Sequence, residues 1–176
     1  MTDTIYLVVG ESGSGKDTVI NHLVKRNGIR RIDSYTTRPC RGPEDRHIFV
    51  DDYFEWVAQN PNEVIVGYTE FDGHCYWATA TQVARSDVYI IDPDGVRFFR
   101  NTYMGSKCVR VIYFNVPLYK RFFRMLRRGD GIFKAIRRLL NDGTKFDGAM
   151  KLADYVVNDG AVEEMAENLL AYMRKN

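Results

Sequence analysis

The run Gly10-Glu11-Ser12-Gly13-Ser14-Gly15-Lys16-Asp17-Thr18 carries the clearest chemistry in this 176-residue chain. It follows the pattern G-x-x-x-x-G-K-[ST] except at the last position, where Asp17 stands in place of the hydroxyl residue. Small residues at this spacing let successive backbone N–H groups curl around phosphate oxygens. A helix beginning near the lysine adds its positive N-terminal end, and Lys16 reaches the outer phosphates of a polyphosphate. The missing hydroxyl ordinarily ligates Mg²⁺, so Asp17 and Thr18 are the candidate metal residues, Asp17 acting through water and Thr18 supplying its hydroxyl. A carboxylate beside a triphosphate is repulsive unless the metal, a water or a neighbouring arginine absorbs its charge.

Two further cationic groups follow. Ser34-Tyr35-Thr36-Thr37-Arg38-Pro39-Cys40-Arg41 sets two arginines three apart behind three hydroxyl residues, which suits a phosphate monoester because arginine offers a planar fork of donors. Between Lys120 and Arg138 lie eight basic residues against the single acid Asp130, although the whole chain is only +2. Such a patch suits phosphates, nucleic acid or anionic lipid. His22, His47 and His74 are scattered, and no Ser-His-Asp or Cys-His set is evident. The chemistry indicated is the positioning and neutralising of phosphates, without a protein nucleophile.

These groups need a scaffold that brings them together. Apolar β-like runs alternate with helical patterns, predicting an α/β fold with a central parallel sheet and crossover helices. Strands are expected over residues 5–9, 88–91, 109–114 and 155–157. Val19, Ile20, Leu23 and Val24 share one face of a helix after the glycines. Val162, Met165, Ala166, Leu169, Leu170 and Met173 form the stripe of a terminal helix. Leu118, Phe122, Met125 and Leu126 give another helix an apolar face, with Arg121, Arg124 and Arg128 on a different one and Lys120 and Arg127 as surface charges. Residues 32–84, aromatic-rich and turn-rich, read as a small insertion into a single domain whose core is 1–31 and 85–176. Hydrophobic residues at 45% and charged residues at 27% describe a chain that folds without disulfides. Three cysteines without CxxC spacing fit a reducing compartment, the cytoplasm. Neither a leader-like N-terminus nor a membrane-length apolar run is apparent.

Several motifs together resemble the guanylate kinase family of nucleoside monophosphate kinases, over nearly the whole chain. Gly10–Thr18 is similar to the family's GPSGxGKST, and Ser34–Arg41 to its SxTTRxPR. Phe71-Asp72-Gly73-His74-Cys75-Tyr76 resembles FxGNxYG, and Ile91-Asp92-Pro93-Asp94-Gly95 resembles DIDxQG. Arg128-Gly129, Arg138-Leu139 and Val156-Val157-Asn158-Asp159 match later elements of the family pattern. The resemblance implies a P-loop three-layer fold with a monophosphate-binding insertion and a lid at about 128–140. It implies ATP and Mg²⁺ as the phosphoryl donor and its metal, with transfer to GMP or dGMP. Glu11 to Thr18, Arg124 and Asn158 would hold ATP. Ser34, Arg38, Arg41, His47, Glu70, Tyr76, Thr79 and Asp92 would hold the acceptor. Lys16, Arg128 and Arg138 would be catalytic.

The departures gather in the acceptor pocket. The loop from Arg41 to His47 is short, Ala78 stands where a hydroxyl is usual with Thr79 next to it, and Glu70 is the nearest candidate for the carboxylate that reads guanine. A kinase of different or broader monophosphate specificity is therefore the alternative enzyme reading. A non-catalytic binding module would tend to lose Lys16, Arg128 or Arg138, all of which are present. Nucleic-acid binding lacks a motif, since only Phe122 and Phe123 interleave with the arginines. The partners indicated are small molecules, with neither nucleic acid nor membrane. Oligomeric state has no signature in the sequence.

Overall fold

The computed structural model describes residues 4–42 and 45–175. In chain order the elements are β1 (Thr4–Val9), α1 (Lys16–Asn27), β2 (Tyr35–Thr36), β3 (Ile48–Phe49), α2 (Tyr53–Gln59), β4 (Ile65–Phe71), β5 (His74–Thr79) and α3 (Ala80–Ala84). Then come β6 (Val88–Ile90), α4 (Pro93–Thr102), β7 (Cys108–Asn115), α5 (Leu118–Arg127), α6 (Ile132–Lys145), a 3₁₀ turn at Ala149–Leu152, β8 (Tyr155–Asn158) and α7 (Val162–Lys175).

Strand β1 is buried at every position, as its unbroken apolar run requires of a strand covered on both faces. Alternation along it divides the core in two. Ile5, Leu7 and Val9 join Tyr89, Val111, Val96 and Phe99 on one side of the sheet. Tyr6 and Val8 join Ile112, Phe114, Leu23 of α1 and Leu169 of α7 on the other. The main sheet has the order β6-β1-β7-β8, and all its pairings are parallel. Leu7 sits between Tyr89 and Val111 in register. Helix α1, after β1, packs on one face, whereas α4, after β6, packs on the other. The chain therefore leaves adjacent parallel strands in opposite directions, and a crevice opens at their carboxyl ends.

Residues between β1–α1 and β6 build a second sheet of order β3-β2-β5-β4. The aromatic richness of this stretch is its core: Tyr35 stacks on Trp77 with ring centroids 5.6 Å apart, while Trp56 and Tyr53 meet Trp77 at 5.4 and 5.1 Å. Val66, Ala78 and Val83 continue into the core of the main sheet.

The strands lie where the apolar runs predict them, to within a residue at each end. Most of the stretch expected as a lid, about 128–140, lies in α6, a 14-residue helix. Gly129, at φ 90°, lets α5 stop and a new helix begin three residues later. In α5 the expected face holds at Met125, fully buried, and at Phe122 and Leu126, partly buried, but Leu118 is exposed and Arg121 is buried, because an acidic partner from α6 meets the arginine. Among the described residues no helix is long and apolar enough to cross a membrane.

Phe99 is fully buried, stacked on Tyr103 at 4.9 Å and close to Tyr89. Phe99→Ala is expected to cost about 3–5 kcal/mol of unfolding free energy, read as a lower urea midpoint with an unchanged slope.

Candidate functional site

The loop after β1 turns tightly enough to need glycine at two places. Gly13 and Gly15 have φ of 78° and 84°. A Cβ on Gly13 would also lie 2.6 Å from the Arg121 carbonyl oxygen, so the loop rests directly on the backbone of α5. Gly15 opens α1, whose first-turn N–H groups have no intrahelical acceptor and face the crevice with the positive end of the helix. Lys16 stands at that point, mostly covered, its Nζ 3.7 Å from Asp17. Asp17 also pairs with Arg31 at 3.3 Å. Although burial works against its charge, Lys16 and Arg31 hold its carboxyl below the usual carboxylate range. A neighbouring arginine thus absorbs the charge that the unusual Asp17 introduces.

Two of the expected ATP residues serve the loop from behind. Glu11 accepts a hydrogen bond from the Tyr113 hydroxyl at 2.8 Å and lies 3.5 Å from Arg121. The Ser14 side chain is buried beside Gly10, while its carbonyl accepts from Arg124 at 3.1 Å. Asp142, on α6, accepts from the Ser12 N–H at 2.7 Å and the Ser12 hydroxyl at 3.3 Å, with Arg121 at 3.5 Å. Burial outweighs these contacts and raises the Asp142 pKa.

Across the crevice, Arg38 is 5% exposed and donates in a fork to Asp45, at 2.8 and 2.9 Å. The Ser34 hydroxyl lies 3.1 Å from His47 Nδ1, and the His47 ring meets Tyr76 edge to face at 5.7 Å. Burial, then the Arg38 charge, lowers the His47 pKa, so His47 is neutral at pH 7. Arg41 has no carboxylate on its guanidinium among the described residues. Burial, Arg38 and Arg138 all push its pKa down. Arg138, brought in by α6, thus stands close enough to Arg41 to act on its charge. It lies 3.5 Å from Asp130, to which Arg128 also pairs.

One cleft of about 780 Å³ joins these groups. Ser12, Gly13, Gly15, Lys16, Asp17, Thr18, Arg124, Arg128 and Arg138 line it together with Ser34, Arg38, Arg41, His47, Tyr76 and Asp92. Other expected residues fall outside its wall. Thr79 caps α3, accepting from the Gln82 N–H, so its hydroxyl is spent on the helix. Glu70 accepts from the Tyr68 hydroxyl at 2.6 Å on the exposed face of β4, because strand alternation turns it away from the cleft. Asn158 pairs with Asn115 at 3.2 Å and lines a separate small depression beside β8. Lys120, read as a surface charge, pairs with Asp159, which also holds Arg124 at 2.6 Å.

The sequence reading missed Arg31, Arg121, Asp142 and Lys145. Lys145 ends α6 and places its Nζ 2.6 Å from Asp92. These residues have no motif. They are found only through partners distant in the chain, as far as 130 positions for Asp142 and Ser12, and amphipathic spacing in α6 is the sole local hint.

Because folding favours neutral His47, the unfolded chain binds more protons between the lowered folded pKa and the ordinary value near 6.5, and stability falls as pH drops through that window. His47→Gln should remove this component. The loss of Tm between pH 7.5 and pH 5.5 is then smaller in the variant than in the wild type.

No family model matches the chain. A guanylate kinase of Cupriavidus pinatubonensis is 29% identical over 189 residues, covering 98% of this chain and 83% of the relative. A guanylate kinase of Ralstonia nicotianae is 29% identical over 184 residues, covering 97% and 79%. The crystal structure of guanylate kinase from Anaplasma phagocytophilum shares the fold with a TM-score of 0.68 at 22% identity, covering 99% of this chain and 87% of that one. With near-complete coverage in sequence and in fold, and with a phosphate loop facing an arginine-lined cleft, the chain is similar to guanylate kinases over nearly its whole length.

Proposed function

We propose that this chain is an ATP-dependent nucleoside monophosphate kinase that transfers the γ-phosphoryl group to GMP or dGMP, releasing ADP and GDP or dGDP. The observation that carries this reading is the meeting of Arg38, Arg41 and Arg138 opposite Lys16 in one cleft. Like charges crowd there with Arg41 left without a carboxylate, an arrangement that is stabilised when phosphate groups enter.

A monophosphate ester has its second pKa near 6, so the acceptor arrives as a dianion that needs no general base. Its phosphate oxygen attacks the γ-phosphorus while the bond from that phosphorus to the β–γ bridging oxygen breaks, and ADP leaves with the electron pair. The protein's task is alignment and charge neutralisation. Ser34, Arg38, Arg41 and Tyr76 hold the acceptor phosphate, with neutral His47 orienting the Ser34 hydroxyl. The loop N–H groups and Lys16 hold the donor's outer phosphates. Arg128 and Arg138 meet the charge of the transferring group, carried by a lid at about 128–140 that α6 extends. The acceptor elements form the insertion at 32–84 within a core of 1–31 and 85–176.

The Asp17 carboxylate and the Thr18 hydroxyl are hard oxygen donors exposed at the cleft in the first turn of α1. That donor set fits Mg²⁺, which takes one or two protein oxygens and completes its shell with phosphates and water. Bound there, the ion supplies charge neutralisation to the triphosphate. Free cysteines at 40, 75 and 108 suit a reducing cytoplasmic setting.

An ADP-release assay with Mg·ATP and GMP, dGMP, AMP, CMP, UMP or dTMP tests the reading. GMP and dGMP should give the highest kcat/KM, and absence of turnover with every monophosphate overturns it. Arg138→Ala is expected to lower kcat roughly a thousand-fold, and Arg128→Ala by orders of magnitude, with melting temperatures little changed. Near-normal turnover in either variant removes that arginine from the mechanism.

A further inference from the structure

Glu70, the carboxylate expected at the base of the acceptor, lies outside the cleft. On the acceptor side of the cleft wall, Asp92 is then the one carboxylate left to face a base among the described residues. Asp92 is not free. Its Oδ1 accepts from the Gly95 N–H at 2.7 Å, capping α4. Its Oδ2 accepts from the Thr69 hydroxyl at 2.6 Å and from Lys145 Nζ, also at 2.6 Å. Lys145 is further held by the Glu70 carbonyl oxygen at 3.0 Å and lies over the Phe71 ring, 4.9 Å from its centre. Phe71, Tyr89, Ile91 and Phe146 wall the cleft together with this pair. Flat apolar walls with one polar cluster are what a nucleobase requires, and the phosphate-binding arginines share the same cavity.

We propose that Lys145 is a specificity-determining residue. It occupies the Asp92 oxygen that would otherwise accept hydrogen bonds from an amino group of the acceptor base, so the site does not select for the 2-amino group of guanine. The proposal rests on the kinase reading for the identity of the acceptor. Its physical basis is the hydrogen-bond count at Asp92. A partly buried carboxylate oxygen that already has two donors gains little from a third. One stripped of its cation strongly favours a ligand that brings a donor.

Comparing GMP with inosine monophosphate isolates that amino group, since the two differ in nothing else. The readouts are dissociation constants by calorimetry and kcat/KM with Mg·ATP. In the wild type the two nucleotides should lie within roughly threefold of each other. Lys145→Met should widen the preference for GMP by roughly tenfold or more, because the freed Oδ2 now rewards the 2-amino group. Lys145→Arg, which keeps a cation on Asp92, should stay near the wild-type ratio. Arg137→Ala, which cuts the neighbouring tie between α6 and Asp72 without touching Asp92, should leave the ratio unchanged. Circular dichroism and melting curves show which variants are folded, and Lys145→Arg keeps the comparison available if the methionine variant is not. A wild type that already prefers GMP by roughly a hundredfold, or a folded Lys145→Met with an unaltered ratio, overturns the inference. Failure to turn over any monophosphate counts instead against the kinase reading, since the ratio of dissociation constants is read without catalysis.

Discussion

A cradle for phosphates has to hold its cations close together before any phosphate arrives, and that constraint shapes most of what surrounds the cleft. The cations are interleaved with aspartates. Asp45 takes Arg38, Asp17 takes Lys16 and Arg31, and Asp130 takes Arg128 and Arg138. Asp159 takes Arg124 and Lys120, while Asp142 takes Arg121. Each carboxylate satisfies donors that a desolvated arginine cannot leave empty. Where the arginine is half exposed, as with Arg128 on Asp130, such a pair contributes little net stability and its donors can be handed to another anion. The Arg38–Asp45 fork is buried, and removing either partner would leave an uncompensated charge, so any incoming anion competes there with an acid already in place. Arg41 is different: it carries the local repulsion without a carboxylate of its own, which makes it the first guanidinium an anion relieves.

This arrangement explains how Asp17 is accommodated. A carboxylate at the entrance of a triphosphate site would ordinarily oppose binding. Arg31, mostly covered and held also by the Asn21 side chain at 3.0 Å, supplies a compensating charge from outside the loop. The same residue forms a single parallel bridge to Val88 at the sheet edge, so backbone pairing fixes the position of that charge.

How much of this was legible in the sequence depended on whether the determining contacts are local. The phosphate loop, β1 and the stripe of α7 declare themselves within a dozen residues, because tight turns need glycine and amphipathic helices need periodic apolar positions. Order along the chain, together with the resemblance it carries, was enough to bring Ser34, Arg38, Arg41 and Asp92 to the loop. The misplacements at Glu70 and Thr79 have another origin. In a strand, a shift of one residue reverses the facing of a side chain, and the short loop after Arg41 and the altered residues around Ala78 leave register undetermined until the second sheet is seen. The burial of Arg121 had no local signal because its partner Asp142 lies 21 positions away, on α6.

Helix α6 is where the two halves of the cleft become one device. Arg138, Asp142 and Lys145 are spaced four and three residues apart, so they share one face of the helix. Arg138 reaches the vicinity of Arg41, Asp142 the loop at Ser12, and Lys145 the carboxylate at the end of β6. A rigid helix cannot adjust one of these contacts freely while keeping the other two. A ligand that draws Arg138 toward a phosphate therefore also bears on the loop and on Asp92. Burial raises the pKa of Asp142, against the Ser12 N–H, the Ser12 hydroxyl and the Arg121 charge, which all favour its ionised form and tie α6 to the loop.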